Sequence, residues 1–180
     1  EDIVCINCGQ CANVCPVESI VEQDDTAALM DAINNKHKTV IIMTSPAVRV
    51  SLGEMFNYPA GEFVAGKMVS ALKKLGADYV FDVAFGADLP IMEEASELID
   101  RIKNDKVLPQ FTSCCPAWVK FVETFYPQYI PNLSSCKSPI SMQASVIKNY
   151  FSKQIKVSPS DIVLVAMTPC VTKKFEIKRD

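Results

Sequence analysis

Four cysteines close to the start of the chain limit its possible structures more than any other feature. They are Cys5, Cys8, Cys11 and Cys15, in the pattern C-x2-C-x2-C-x3-C, with Pro16 directly after the last. The segment 5–17 is rich in Cys, Asn and Gly and has too few apolar side chains to bury a core of its own. We therefore expect short turns and loops that fold around a bound group.

The spacing of these cysteines is the one that bacterial ferredoxins use to hold [4Fe–4S] clusters. The short gaps let the thiolates of Cys5, Cys8 and Cys11 converge on one cluster, while Cys15 reaches a different cluster. The remaining ligands would come from a sister motif, which we expect before residue 1. The alternative is a zinc site, but zinc sites generally combine two separated pairs and often include His, which this run fits poorly.

Composition and charge exclude several classes of protein. The eight cysteines occur without an export signal, and the first residues offer no basic start, no apolar core and no initiator Met. Because a reducing cytosol disfavours disulfides, we expect a cytoplasmic protein whose cysteines bind metal or act in catalysis. The net charge is −3 and the Lys and Arg are scattered, so we expect no nucleic-acid partner. The longest apolar runs fall far short of the roughly 20 residues that a membrane span needs.

Apolar runs and helical patterns alternate along the rest of the chain. Segments 39–43, 79–83 and 161–167 are typical of buried strands, and segments 25–35, 47–56, 61–75, 90–104, 116–126 and 138–152 have helical spacing. This order predicts an α/β fold with a mainly parallel sheet flanked by helices, preceded by part of a small ferredoxin-like module. We divide the chain into that module at 1–22, a connecting helix and linker at 23–38, and the α/β domain at 39–180.

Cysteines and other polar residues lie where the predicted strands end. Ser45 follows the first strand and Cys170 follows the third, and we expect Gln110 and Phe111 to form a strand that leads into the Cys114–Cys115 turn. Ligands of parallel sheets usually bind beyond the carboxyl ends of the strands. These segments should therefore meet at one edge of the sheet. Two adjacent thiols on a turn should also have two different roles.

Several segments together resemble the [FeFe] hydrogenases, the iron-only hydrogenase large subunits. TSCCPAW at 112–118 and TPCVTKKFE at 168–176, downstream of the cysteine motif, are similar to the first two of three signature segments of that family. The resemblance also covers SPAVR at 45–49, FGAD at 85–88, MEEASEL at 92–98 and LSSCKSP at 133–139. It implies that 39–180 is the N-terminal portion of the catalytic domain. We expect the third signature segment beyond residue 180, and an isolated fragment that loads iron poorly and is inactive.

The resemblance implies a catalytic H-cluster, which is a [4Fe–4S] cubane bridged by a cysteine to a two-iron subsite with CO, cyanide and a dithiolate amine. Cys115 and Cys170 would be ligands of the cubane. Lys173 would donate to an iron-bound cyanide. Ser45 and Pro46 would line the same pocket.

A proton relay follows from the same resemblance. Cys114 would not be a ligand but the thiol that passes protons between the cofactor amine and the protein, a role that suits a thiol because it can both donate and accept a proton. Glu94, Ser134, Glu97 and Arg101 match the family's route to solvent, and three of them lie on one face of the predicted helix. The alternative is a solvated helix face, where Glu and Arg at this spacing are common.

Four positions around the expected two-iron subsite depart from residues that are common in the family. They are Ala47, Ala117, Ile140 and Thr168, in place of Ser, Gly, Gln and Met. The departures indicate a divergent subclass with altered hydrogen bonding and packing at the cofactor. Cys136 fits no ligand spacing, and we expect it to be a small buried apolar residue. We expect Lys174 to be a surface charge.

The function implied is an oxidoreductase that interconverts protons, electrons and H2, with electrons supplied by a ferredoxin or a similar carrier. One alternative is a hydrogenase-like sensor or iron–sulfur assembly factor with little H2 turnover, although such a protein would not need the relay residues Cys114, Glu94 and Glu97. The other is a plain electron-transfer module, which leaves Cys115 and Cys170 unexplained.

Overall fold

A three-stranded parallel sheet forms the centre of the computed structural model, which describes residues 5–179. Its strands are β1 (Thr39–Thr44), β2 (Tyr79–Asp82) and β3 (Ile162–Met167), in the order β2-β1-β3. In the central strand, Ile41 is paired with Tyr79 on one side and Leu164 on the other. The prediction of a parallel sheet flanked by helices is confirmed.

Helices connect and cover the strands. Those within residues 5–179 are α1 (Gln10–Val14), α2 (Thr26–Asn34), α3 (Val48–Ser51), α4 (Ala65–Leu75), α5 (Val83–Lys103), α6 (Pro116–Phe125), α7 (Pro139–Val146), α8 (Ser152–Gln154) and α9 (Lys173–Glu176). There are 3-10 turns at Leu52–Phe56, Pro127–Asn132 and Pro159–Asp161, and the π-helical turn Ile147–Phe151 joins α7 to α8. None of the helices in this part of the chain has the length and apolar composition of a bilayer span.

The central strand is buried on both faces, which explains its continuous apolar sequence. Ile41 and Met43 face the cluster formed with Ile140 and Ile147, on the side covered by α7 and the π-helical turn. Val40 and Ile42 face the opposite cluster, which α2 and α4 cover. Burial of each such side chain stabilises the fold by roughly 1.5–3 kcal/mol. Apolar packing on both faces of the sheet therefore fixes the position of the carboxyl end of the central strand, after which the proposed site residues lie.

The helix after β2 begins earlier than its sequence pattern indicated. We expected the strand to run to residue 83 and the helix to start at Pro90, and both bounds were wrong, because α5 starts at Val83. The side chain of Asp82 accepts a hydrogen bond from the Ala84 N–H at 2.8 Å and so caps the helix. Pro90 lies inside the helix and is buried. The FGAD segment therefore belongs to α5, where a Cβ on Gly86 would lie 2.6 Å from the Pro139 carbonyl oxygen of α7.

The strand expected at Gln110 and Phe111 is not part of the sheet. Phe111 forms a single parallel bridge with Leu133. Its N–H donates to the Asn132 carbonyl at 2.8 Å, and its carbonyl accepts from the Ser134 N–H at 2.7 Å. The Cys114–Cys115 turn therefore follows an isolated bridge, and that bridge places Ser134 close to the turn.

Candidate functional site

A half-buried ion pair joins α5 to the segment around Ser134. Glu97 and Arg101 have side chains that are 20% and 10% exposed, and Arg101 donates to Glu97 Oε1 from Nη2 at 2.7 Å and from Nε at 3.2 Å. Ser134 Oγ donates to the other carboxylate oxygen at 2.7 Å, and the Ser135 N–H donates to it at 3.2 Å. The structure thus brings three of the predicted relay residues into one hydrogen-bonded unit.

Arg101 has further partners that the sequence did not indicate. Its Nη1 donates to the carbonyl oxygens of Val107 and Pro131, each at 3.1 Å, and its Nη2 donates to that of Leu133 at 2.8 Å. With the two bonds to Glu97, all five N–H groups of the guanidinium are in use. A guanidinium also keeps its proton at any physiological pH. This geometry favours a positioning role for Arg101 over the proton-carrying role that the resemblance implies.

The ion pair and the serine set the charge of Glu97. Burial alone would raise the pKa of this carboxyl, but the hydrogen bonds from Ser134 and Arg101, with the charge of Arg101, outweigh it and lower the pKa. Since the pKa is lower in the folded state than in the unfolded state, ionised Glu97 stabilises the fold at neutral pH. That stabilisation begins to fall when the pH drops below about 4.3, the pKa of a Glu carboxyl in the unfolded state, and it is lost as the pH passes through the lower pKa of the folded state.

We expect Glu97→Gln to lower the free energy of unfolding most at pH 7, with the difference from wild type shrinking below about pH 4. The amide cannot ionise, so it loses the pair with Arg101 but has no acid titration of its own. Urea unfolding of both proteins from pH 7 to pH 3 measures the difference, and other groups that titrate cancel between them. A difference that stays constant across this range would mean that Glu97 does not titrate as the structure indicates.

Cys136 lies beside the relay residues. Its N–H donates to Ser134 Oγ at 3.1 Å, and burial, followed by the charges of Glu94, Glu93 and Glu97, raises the pKa of its thiol. Cys136 is half-buried, so the expectation of a small buried residue holds only in part. The thiol lines a cleft of about 470 Å³ together with acidic side chains of α5. Glu97, which accepts the hydrogen bond from Ser134, also lines this cleft.

Two members of the predicted relay are not joined to the others. Glu94 accepts a hydrogen bond from Gln110 Nε2 at 3.1 Å through its backbone carbonyl, not its carboxylate. Among residues 5–179, no hydrogen bond links the side chains of Glu94 and Cys114 to each other or to Ser134. The turn does contact this region, because Ser113 Oγ donates to the Ser134 carbonyl at 2.6 Å.

Lys173 connects the two segments that resemble signature motifs. Its Nζ donates to the Cys114 carbonyl oxygen at 2.8 Å and to Glu176 Oε2 at 2.6 Å. Glu176 Oε1 in turn accepts from Ser141 Oγ of α7 at 3.0 Å. Neither Glu176 nor Ser141 was expected to take part in the site, although the spacing of Lys173 and Glu176 on α9 is that of a helical ion pair.

The residue after β1 carries a buried hydroxyl close to the end of β3. The Ser45 N–H donates to the Met167 carbonyl at 3.0 Å, while Ser45 Oγ is buried and makes no hydrogen bond to any of residues 5–179. Leaving a buried hydroxyl without a hydrogen bond costs about 1–3 kcal/mol. An unpaired group of this kind is typical of a site in which a bound group supplies the missing partner. Pro46 beside it is exposed, and Cys170 lies just beyond the end of β3 with its Sγ 3.6 Å from Thr172 Oγ1.

The N-terminal cysteines are accessible, and one of them is activated. Cys5 and Cys11 are exposed, and Cys8 and Cys15 are half-buried. The Ser19 hydroxyl, helped by nearby backbone N–H groups, lowers the pKa of the Cys15 thiol to about 7. At neutral pH a thiol in this range is about half in the thiolate form, the form that binds metal.

The described residues do not assemble a complete ligand set. Between residues 5 and 179, no group of three or more Cys, His, Asp or Glu side chains is placed to hold a metal ion. Cys5, Cys8 and Cys11 are thus not gathered around one point, and their role as ligands stays a prediction. The donors nevertheless fit iron–sulfur chemistry, because all are free thiols, the soft ligands that clusters require. Cys115 also lies at the N-cap of α6, where the helix dipole favours an anion.

Comparisons with known proteins agree on one family. The family model described as "Iron only hydrogenase large subunit, C-terminal domain" matches residues 38–180, and that of a 4Fe-4S binding domain matches residues 4–21. The NADP-reducing hydrogenase subunit of Solidesulfovibrio fructosivorans is 43% identical over 184 residues, which cover 99% of this chain and 32% of that protein. Iron hydrogenase 1 of Clostridium pasteurianum is 44% identical over 91% of this chain and 29% of its own. The chain thus spans about a third of the length of these relatives.

Solved structures and a second class of relatives complete the comparison. An apo [FeFe]-hydrogenase of Chlamydomonas reinhardtii superposes with a TM-score of 0.83 at 38% identity, covering 88% of this chain and 41% of that one. A cytosolic Fe-S cluster assembly factor of Danio rerio is 35% identical over 81% of this chain and 36% of its own. Relatives therefore include both hydrogenases and assembly factors.

Proposed function

This chain belongs to the family of iron-only hydrogenase large subunits, and on that premise we propose that the full-length protein interconverts protons, electrons and H2. The observation that supports this most directly is the contact between Lys173 Nζ and the Cys114 carbonyl oxygen. This contact holds Cys114, whose thiol is free and exposed, next to Cys115 and beside the largely buried ammonium group of Lys173. A thiol in that position can exchange protons, which a protein that only stores or carries clusters has no need to do.

In this proposal the residues at the strand ends hold the cofactor. Cys115 and Cys170 provide thiolate ligands, Lys173 provides a donor, and Ser45 and Pro46 line the pocket. The unpaired Ser45 hydroxyl supports this assignment, because a bound polar ligand would give it a partner. When bound, an H-cluster supplies the redox chemistry that combines two protons and two electrons into H2.

The proton route uses side chains of this chain. Cys114 accepts and donates the proton next to the cofactor, and Glu94 passes it toward Ser134. Ser134 Oγ accepts from the Cys136 N–H and donates to Glu97 at 2.7 Å, so its own proton is directed at the carboxylate. Glu97 then exchanges with water in the cleft.

Electrons arrive from the N-terminal side in this proposal. The cysteines of segment 1–22 hold [4Fe–4S] clusters, segment 23–38 connects them to the domain at 39–180, and a ferredoxin-type carrier is the donor. The lowered pKa of the Cys15 thiol supports the metal-binding role. We also propose a cytoplasmic location.

We expect the full-length protein, matured with a synthetic two-iron cofactor, to evolve H2 from reduced viologen. The same protein with [4Fe–4S] clusters but without the two-iron cofactor is the matched control and should give only background. Gas chromatography measures H2, and infrared bands of CO and cyanide show whether the cofactor is bound.

The second candidate function is a sensor or assembly factor with little turnover. The similarity to the Danio rerio assembly factor, at 35% identity, supports it. A protein that shows the infrared bands of the bound cofactor and yet makes almost no H2 would favour this second function.

A further inference from the structure

The N-terminal cysteine segment contacts the chain directly beside Cys170. Gly9 lies between Cys8 and Cys11 with φ of +78°, and a Cβ built on it would lie 2.2 Å from Val171 Cγ2. Real Cβ atoms do not approach other atoms so closely, so the Val171 methyl occupies the space where any other residue would carry a side chain. Two segments that carry proposed ligands are therefore in van der Waals contact through a glycine.

A second contact anchors the linker to the same stretch of chain. Lys174 Nζ donates to the Gln23 carbonyl oxygen at 2.6 Å and forms an ion pair with the Asp25 carboxylate. Lys178 Nζ adds a hydrogen bond to Gln23 Oε1 at 3.3 Å. Lys174 is 35% exposed, which agrees with the expected surface charge, but it also binds a segment 149 residues away in the sequence.

The two contacts restrain the module at two points. The Gly9–Val171 contact lies within the cysteine motif, and the Lys174 contacts lie just beyond it, at the start of α2. Val171 and Lys174 both follow Cys170 within four residues. Movement of the cysteine segment relative to Cys170 would have to break one contact or the other.

We propose that these two contacts form a clamp that positions the N-terminal iron–sulfur module against the Cys170 segment and so fixes the gap between the two cluster sites. The identity of the two bound groups rests on the proposed function, but the docking itself does not. Electron tunnelling weakens exponentially with distance. Gly9, Val171 and Lys174 would therefore act as positioning residues, since they set the gap without binding either group.

The test separates the contact at Gly9 from the conformation of its backbone. An Ala at this position meets Val171, and it is also strained by the positive φ. Val171→Ala removes the obstructing methyl groups but leaves the strain. If the contact with Val171 holds the module in place, the module of the double variant Gly9→Ala/Val171→Ala should therefore dock better against the Cys170 segment than that of Gly9→Ala alone.

The experiment uses the full-length protein loaded with [4Fe–4S] clusters but without the two-iron cofactor, so that no H2 turnover is involved. Hydrogen exchange of the amides in 9–25 reports docking, and magnetic coupling between the reduced clusters, seen by electron paramagnetic resonance, reports their separation. We expect Gly9→Ala to speed exchange in 9–25 by about tenfold or more, Lys174→Gln to speed it by about three- to tenfold because its ion pair is partly exposed, and both to weaken the coupling. Lys153→Gln removes an exposed lysine of α8 and should match wild type.

If Lys174→Gln showed the same exchange and coupling as wild type, the clamp would be overturned. This variant leaves the cysteine segment unchanged, so it remains a valid test even if Gly9→Ala fails to load clusters. A double variant that docks no better than Gly9→Ala would overturn the role of the Val171 contact. Failure of the proposed function is separate, since it would show as wild-type protein that docks normally and makes no H2.

Discussion

Replacing Cys114 by Ala is expected to lower the rate of H2 evolution by about 10²- to 10⁴-fold, the range that a positioned proton-transfer group contributes. The cofactor should stay bound, because the structure holds this residue through its backbone. Lys173 donates to the Cys114 carbonyl at 2.8 Å, a bond that Ala preserves. The proposed ligand Cys115 is also unchanged. The viologen assay measures the rate, and the infrared bands and iron content report the cofactor.

Cys136→Ala is the matched control for this loss. Its thiol is half-buried beside Glu97, but only its backbone N–H takes part in the proposed route, through Ser134 Oγ. The variant should therefore retain activity within a few-fold of wild type. If Cys114→Ala lost the infrared bands, Cys114 would be a ligand instead. If the variant kept both bands and activity, protons would reach the cofactor by another route.

The sheet could be predicted from the sequence because its strands are nearly continuous apolar runs, and the central strand is buried on both faces. The run at Val40–Met43 is apolar at every position, and that pattern identifies the central strand without any tertiary information. The start of α5 could not be found in this way. It depends on the Asp82 cap, and the internal Pro90 gave a misleading start signal.

The candidate site was only partly predictable, for a related reason. Spacing on one helix predicted that Glu97 and Arg101 could meet. The carbonyl oxygens that bind Arg101 come from residues up to 32 positions away, and backbone groups leave no mark on the sequence. The contacts of Gly9 with Val171 and of Lys174 with Asp25 are more distant still. Such contacts follow from the tertiary fold, which periodicity does not encode.

Replacing Arg101 by Met should destabilise the domain by about 2–4 kcal/mol, because removing one partner from a fully buried ion pair costs about 3–5 kcal/mol and Glu97 is 20% exposed. The Glu97 carboxylate would stay in a half-buried site without its cation, and the carbonyls of Val107, Pro131 and Leu133 would lose their donor. Urea unfolding of the full-length protein at neutral pH, followed by circular dichroism, measures the change.

Lys106→Met is the matched control for Arg101→Met. Lys106 lies just beyond α5 and forms an exposed ion pair with Asp100 of that helix, and the two side chains are 57% and 48% exposed. Exposed pairs contribute at most about 1 kcal/mol, so this variant should stay near wild type. Arg101→Met/Glu97→Gln should recover part of the lost stability, since the double variant leaves no unpaired charge. If Arg101→Met cost no more than Lys106→Met, the guanidinium would not be the structural anchor of Glu97.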